Sequence, residues 1–452
     1  MLSLLWTDYL VFALLIGVVL VVLNTRHKAH LRRPWQKVFD NTVGMVSLSV
    51  LLMFLMIGLL DSTRLERPIL LDSGQASKQT DVLSVLDILL SPIRVGYEKT
   101  YSAPFAHTAY AKEIVLDSTG QKQWLYPRLH IGGAHLSNPD EDKIDDIAQK
   151  SLKGLGQALL VWLGLVTLVL FFSKDCSYRA LSNGKKTLLF SLLGIFCIMG
   201  VLANLAPYYH VLGTDKVGED VLYQAVKSIR TGLVIGALTS IVMLPIAISL
   251  GLLAGFFRGW VDDLIQYIYT TLSSVPGVLL IAAAILMAQV YMTNNPELFT
   301  TVDDRADMRL LLLCLILGMT SWTGLCRLLR AETLKIREMD YVVAAQALGV
   351  SRLKILKRHV LPNVMHLVMI TVVLDFSGLV LAEAVLSYIN IGVDPSSYSW
   401  GNMINSSRLE MAREPVVWWS LSAAFIFMFS LVLAVNLFAD VVRDAFDPRS
   451  HH

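Results

Sequence analysis

The chain has 452 residues, of which 16% are charged and 55% hydrophobic, against roughly 25% charged in a typical soluble protein. With a mean hydropathy of +0.58, much of it is solvated by lipid, which argues against two or three ordinary soluble domains. A net charge of +2 gives no reason to expect a nucleic-acid partner, so only the placement of charges is informative.

Nine apolar runs reach the roughly 20 residues that cross a hydrocarbon core of about 30 Å. They lie at about 6–23, 43–60, 155–173, 187–205, 231–254, 264–291, 309–326, 364–389 and 416–438. The first has no positive n-region and no small-residue cleavage site, so it reads as an uncleaved anchor. Basic residues set the orientation. Segment 24–42 carries Arg26, Lys28, Arg32, Arg33 and Lys37, and segment 174–186 carries Lys174, Arg179, Lys185 and Lys186. Segment 327–362 carries eight more, from Arg327 to Arg358, whereas 292–308 has only Arg305 among four acids. Alternation then predicts the N-terminus outside, the three basic segments cytoplasmic, the C-terminus inside and 61–154 outside.

Segment 61–154 contains Trp124, several tyrosines and short apolar runs such as Val82–Leu90, so it is expected to fold as a small α+β or irregular cap. The four cysteines (Cys176, Cys197, Cys314, Cys326) are scattered, without a CxxC, and none lies in that segment. It is therefore expected to fold without disulfides or a zinc ribbon. Its acidic run Asp140, Glu141, Asp142, Asp145 and Asp146 lacks the glycine and ligand spacing of an EF-hand loop. A solvated helix start fits it better. His130 and His135 have no HExxH context, and Asn183-Gly184-Lys185-Lys186-Thr187 lacks the glycine and GK[ST] ending of a phosphate loop. No nucleophile–base constellation, metal set or catalytic residue is expected.

The informative cytoplasmic segment is Met339 to Asn363. It reads as a helix with a small-residue patch, Ala344, Ala345 and Ala347, ended by Gly349 in the left-handed position of a helix C-cap. A basic second helix follows, and Pro362 starts the next span. Small residues let another surface approach the backbone closely, as a docking helix requires; a surface helix lying among lipid headgroups is the other reading.

This segment resembles the cytoplasmic EAA loop of ABC importer permeases: Ala344, Ala345, Gly349, Leu361 and Pro362 stand in register, while the glutamate position holds Val343. The chain around it resembles the peptide/nickel subfamily, specifically the second of its two permeases. His210 to Leu222 is similar to the pattern H-x-LGTD-x-x-GRDVL, with Glu219 in place of arginine. Further similarities are Gly255 to Asp262, Ser274 to Pro276, Thr320 to Trp322, Arg330-Ala331-Glu332, Ala382-Glu383-Ala384, Ser399 to Met403 and Arg443 to Arg449. They cover about 206–449 in order, and 31–60 weakly resembles the family's first span. Residues 61–205 depart from it, since members usually have six spans.

The resemblance implies an all-α polytopic membrane protein, a type I ABC importer permease bundle, which the apolar runs bring to about nine spans and to which segment 61–154 adds a folded periplasmic insert. It implies a bacterial inner-membrane location, a homologous second permease, two ABC ATPase subunits and a periplasmic or lipid-anchored substrate-binding protein. Membrane lipid surrounds it. The chain itself binds no cofactor; ATP and Mg belong to the ATPases. Peptides are the first expected cargo, with muropeptides, antimicrobial peptides or nickel as alternatives. The expected organisation is 1–60 (anchor and first family-like span), 61–154 (insert), 155–205 (additional span pair), 206–449 (permease core with coupling loop 327–362) and a 450–452 tail. The coupling residues would be Tyr341, Ala344, Ala345, Ala347, Gly349, Leu361 and Pro362. The periplasmic rim would be Leu212, Gly213, Thr214, Asp215, Gly218 and Asp220. Asp or Thr there can cap a helix beginning near Glu219, whose polar face (Asp220, Gln224, Lys227) is expected at the aqueous mouth. Asp215 would act structurally, by satisfying backbone N–H groups. The insert would either guide the binding protein or pack only on its own subunit.

Asp375 and Glu383 interrupt the eighth run, where a carboxylate costs at least roughly 2.5–3.5 kcal/mol at mid-depth. Eight residues apart, they are expected to share a face. Two readings stand: a lining of the translocation path, or a buried pairing with Arg230 or Asn436 that shapes the span. A proton-driven secondary transporter would also place carboxylates here, but it predicts inverted repeats that the sequence does not display. A membrane-anchored sensor would need a cytoplasmic output domain, and the longest cytoplasmic segment is about 36 residues.

Overall fold

The computed structural model describes residues 4–25, 29–70, 76–116, 122–171, 182–298 and 301–446. Arg26, Lys28, Lys174, Cys176, Arg179, the motif end Asp447-Pro448-Arg449 and the 450–452 tail lie outside the described residues. Three helices open the chain: α1 (Trp6–Thr25), α2 (Ala29–Asp40) and α3 (Thr42–Ser62). Asn41 caps α3, its Oδ1 accepting from Gly44 N at 3.1 Å. The insert follows as two antiparallel hairpins, β1 (Arg64–Leu70) with β2 (Ala76–Ser84) and β3 (Glu113–Leu116) with β4 (Lys122–Leu125). Between them lie the short helices α4 (Val85–Leu89) and α5 (Ser91–Arg94). The cap is thus the small α+β segment expected of its composition. The helices α6 (Pro139–Phe171) and α7 (Asn183–Leu205) come next, so the 154/155 boundary falls inside α6.

The remaining helices are α8 (Val221–Phe257), α9 (Trp260–Ser274), α10 (Gly277–Asn294), α11 (Val302–Arg337), α12 (Asp340–Ala347), α13 (Arg352–Ile355), α14 (Leu361–Tyr388), α15 (Trp400–Glu410) and α16 (Trp419–Phe446). Among the described residues eight helices are long and apolar enough to cross a membrane: α3, α6, α7, α8, α10, α11, α14 and α16. Helix α1 adds a shorter apolar helix. One expected span is corrected. Residues 264–291 do not form a single helix, because Val275 is extended (φ −87, ψ 130) ahead of Pro276. Proline disfavours helical backbone in the residue before it, so α9 stops at 15 residues, too short to cross alone.

The chain divides into two compact units. One gathers residues 37–231 and 398–434, and the other gathers 5–36, 232–397 and the segment from 435 onward. In the first, α6 and α7 cross with their backbones in contact: a Cβ on Gly154 would lie 2.4 Å from Gly200 O. The acidic start of α6 is only partly solvated. Asp146 pairs with Lys150 and lies 2.8 Å from both His135 Nε2 and Tyr209 Oη. Ile93 of the insert shares a core with Leu205, Tyr209, Val211 and Leu222. In the second unit, Leu252, Phe256, Leu325, Leu329, Val342, Ile355 and Val364 form one core. There α8 meets α11 so closely that a Cβ on Gly255 would lie 2.6 Å from Thr333 Cβ.

Candidate functional site

Segment 339–363 folds as α12, a tight stop, α13, one turn of wider π-type winding (Leu356–Val360) and then α14. Gly349 has φ +76; its N–H donates to Gln346 O at 3.0 Å, and Val350 N–H donates to Ala345 O at 3.1 Å. These two bonds are a Schellman stop, which needs a left-handed residue in that place. The small residues do not act as one patch. Ala345 is buried beside Val342 in the core, while Tyr341, Val343, Ala344, Ala347 and Leu348 remain uncovered. Helical periodicity separates them, since Val342 and Ala345 are three apart and face one way. Leu348 is 84% exposed and Val343 50% exposed. Leu361 is half-buried and Pro362 exposed at the start of α14, where Asn363 Nδ2 donates to Tyr341 Oη at 2.9 Å.

A frame of ionic contacts holds this end of the unit. Arg330 donates to both Asp262 oxygens, Nε to Oδ1 at 2.6 Å and Nη2 to Oδ2 at 2.7 Å. That bidentate pair ties α9 to α11. Arg337 Nη1 donates to Phe256 O at 2.7 Å, and Arg258 Nη2 to Glu338 Oε1 at 2.6 Å. Asp262 and Arg330 both stand in motifs legible in the sequence, but their pairing is not, because 68 residues separate them.

The turn His210–Asp220 is covered, not open. Gly213, Thr214, Gly218 and Asp220 are buried, Leu212 and Asp215 half-buried, and only Lys216 and Val217 exposed. The insert does the covering. Thr214 Oγ1 accepts from Ser102 N at 2.7 Å and donates to Thr100 O at 2.9 Å, and Glu98 N–H donates to Gly218 O at 3.0 Å. Gly218, at φ +79, has Glu98 O only 1.8 Å from where a Cβ would sit. His210 Nδ1 lies 2.7 Å from Asp220 Oδ2, and its Nε2 lies 3.4 Å from Glu98 Oε1. Glu98 also accepts from the backbone of His130 (2.9 Å) and Ile131 (2.8 Å). Burial alone would push His210 down and Glu98 up. The Asp220 and Glu98 carboxylates outweigh it and raise His210 to about 9, while His210 and the backbone donors lower Glu98 to about 2.

Three expectations for this turn are corrected. The helix starts at Val221, and its cap is Asp220, whose Oδ1 accepts from Leu222 N (2.8 Å) and Tyr223 N (3.3 Å). Thr214 is instead committed to the insert. The polar face of α8 does not reach an aqueous mouth: Lys227 Nζ lies 2.6 Å from Asp61 and 2.9 Å from Asp87. A folded insert supplies acids there, and Glu98, Asp87 and Ser102 carried no motif by which to find them. Glu219, in the place of the family's arginine, accepts from Tyr398 Oη at 2.6 Å and Gln224 Nε2 at 2.8 Å. Burial above all pushes its pKa up, with Asp215 and Asp220 adding to the rise.

Asp215 Oδ1 accepts from the N–H groups of Val217 and Glu219, both at 2.9 Å, and Oδ2 accepts from Gln224 Nε2 at 2.8 Å. Asp215→Ala is therefore expected to lower the stability of the purified protein by about 1 kcal/mol. Thermal unfolding checks this. A fully stable variant with altered cargo preference would instead make Asp215 a ligand-reading residue.

In α14 the two carboxylates, expected on one face, differ in burial. Eight residues at 100° each leave them about 80° apart, so Glu383 is buried and Asp375 only half-buried. Glu383 Oε1 accepts from Ser387 Oγ at 2.7 Å, and Asn436 Oδ1 is engaged by Ser377 Oγ at 2.8 Å. Among the described residues no group of His, Cys, Asp or Glu is arranged to hold a metal ion.

Residues 247–452 match the family described as binding-protein-dependent transport system inner membrane component. The chain is 31% identical over 241 residues to the dipeptide transport system permease protein DppC of Lactococcus lactis, covering 53% of this chain but only 64% of that relative. It is also 31% identical over 241 residues to the oligopeptide transport system permease protein OppC of Mycobacterium tuberculosis, covering 53% of this chain and 76% of that protein. A third relative is the glutathione transport system permease protein GsiD of Pectobacterium atrosepticum, 30% identical over 240 residues and 73% covered. With its multi-pass helices and a matched core that contains both α12 and α14, the chain belongs to the family of inner membrane components of binding-protein-dependent transport systems.

Proposed function

We propose that this chain is a permease subunit of an ATP-driven importer that carries peptides, delivered by a substrate-binding protein, into the cytoplasm. The observation that carries the reading is α12: a helix rooted by Val342 and Ala345 yet uncovered along Tyr341, Val343, Ala344, Ala347 and Leu348. An apolar face within the basic segment 327–362 suits a partner protein that pushes on it. In this reading the partner is one of two ABC ATPases, which hold ATP and Mg, and this chain performs no hydrolysis. A homologous second permease completes the pathway. The N-terminus lies outside and the C-terminus inside, by the charge alternation of the loops. The relatives named for dipeptides, oligopeptides and glutathione support peptides as the cargo.

Val343 stands where the family's loop has glutamate, so the contact here is apolar. Its coupling partners are the neighbouring Tyr341, Ala344 and Ala347, with Gly349, Leu361 and Pro362 holding the helix in place. The insert 61–154, the extra pair 155–205 and the core 206–449 serve as separate parts of this design. The test is reconstitution with the partner subunits: ATP-dependent uptake of peptide is expected. Leu348→Asp should abolish copurification of the ATPases while the permease itself remains folded. Full retention of the ATPases by that variant would remove α12 as the docking element.

A further inference from the structure

The fold treats the two carboxylates of α14 differently. Glu383 is buried and engaged by Ser387. Asp375 stands midway along the helix, half-buried, and no described residue gives it a hydrogen bond or an ion pair. Beside it runs an uncovered stripe, with Leu374 48%, Leu381 44% and Val385 56% exposed and Gly378 open, while Leu379 on its other side is 5% exposed. Other long helices leave purely apolar stripes uncovered, as α10 does with Leu279, Leu286, Met287 and Val290. Lipid accepts such a stripe. An ionised carboxylate at the edge of one is costly at membrane depth and is stabilised by water or a positive charge. Nor does the polar pair on the neighbouring face reach it, since Ser377 and Asn436 bond each other.

We propose that Asp375 lines the aqueous pathway and recognises positive charge on the cargo, an ammonium terminus or a basic side chain. The proposal rests on the peptide-importer reading. A half-buried carboxylate attracts a cation more strongly than one in bulk water, because the local dielectric is lower. It acts by charge alone, and no proton or bond is transferred. Glu383, turned inward and engaged, has no such role.

The experiment compares uptake of a lysine-containing tripeptide with that of a glutamate-containing tripeptide, in the fully reconstituted complex. Wild type, Asp375→Asn and Asp375→Glu share the same binding protein, so its own preference cancels between variants. Asp375→Asn should lower the cationic-to-acidic uptake ratio about tenfold, and Asp375→Glu should hold it within about threefold. A ratio unchanged in Asp375→Asn overturns the proposal. So does failure of Asp375→Asn to assemble where Asp375→Glu assembles, since the carboxylate would then pair within the complex. Wild type that takes up neither peptide removes the importer reading itself, an outcome distinct from both.

Discussion

Gly349→Val is expected to cut substrate-stimulated ATPase activity and uptake about tenfold while the assembled complex persists. The residue sits at φ +76, and no atom lies within 4 Å of where a Cβ would be placed. The penalty is therefore one of backbone conformation alone. A β-branched residue in the left-handed region costs about 1–2 kcal/mol, and tenfold in rate corresponds to about 1.4 kcal/mol. The strain is relieved by unwinding the Schellman stop, which frees Val350 from Ala345 and lets α12 tilt away from α13. Val342 and Ala345 stay rooted in the core, so the permease still folds. Force applied to the uncovered face is then absorbed in a loosened joint. Copurification of all subunits, ATPase rate and uptake are the three measurements. Normal coupling in Gly349→Val would show that the stop transmits nothing.

His210→Ala is expected to give the largest loss of stability, about 3–5 kcal/mol, the range for breaking a buried ion pair by removing one partner. The ring sits between Asp220 of the helix cap and Glu98 of the insert, and its removal leaves two buried carboxylates facing each other. The same arrangement sets a pH dependence. His210 is raised from 6.5 to about 9, so its stabilisation is fully present below about pH 6.5 and is lost as pH rises through 9. Glu98 is lowered from 4.5 to about 2, so its share is present above pH 4.5 and is lost as pH falls toward 2. Both describe one contact and count once. Thermal unfolding of the wild type should weaken between about pH 6.5 and 9, and His210→Ala should lack that component. Parallel curves for the two proteins would show that His210 does not hold the insert to the turn.

Local pattern alone determined much of this protein. Apolar runs located the membrane helices because lipid demands about 20 uninterrupted residues whatever the neighbours do. The stop at Gly349 was equally legible, since a left-handed C-cap is a property of the segment itself, while the register from Ala344 to Pro362 came through the resemblance to the family's loop. Other features needed the folded chain. The break before Pro276 was a local signal too, but one that a count of apolar residues passes over, because it depends on backbone geometry and not on hydropathy. The insert's closure over Gly213, Thr214 and Gly218 rests on contacts about 100 residues apart, such as Thr214 with Ser102, and composition gives no register for such a pairing. The same holds for Lys227, which reads as a mouth residue until Asp61 and Asp87 arrive beside it. Asp375 and Glu383 look alike in the sequence. Their spacing sets them about 80° apart on a helix, and only packing decided that Glu383 is buried and Asp375 lies at the edge.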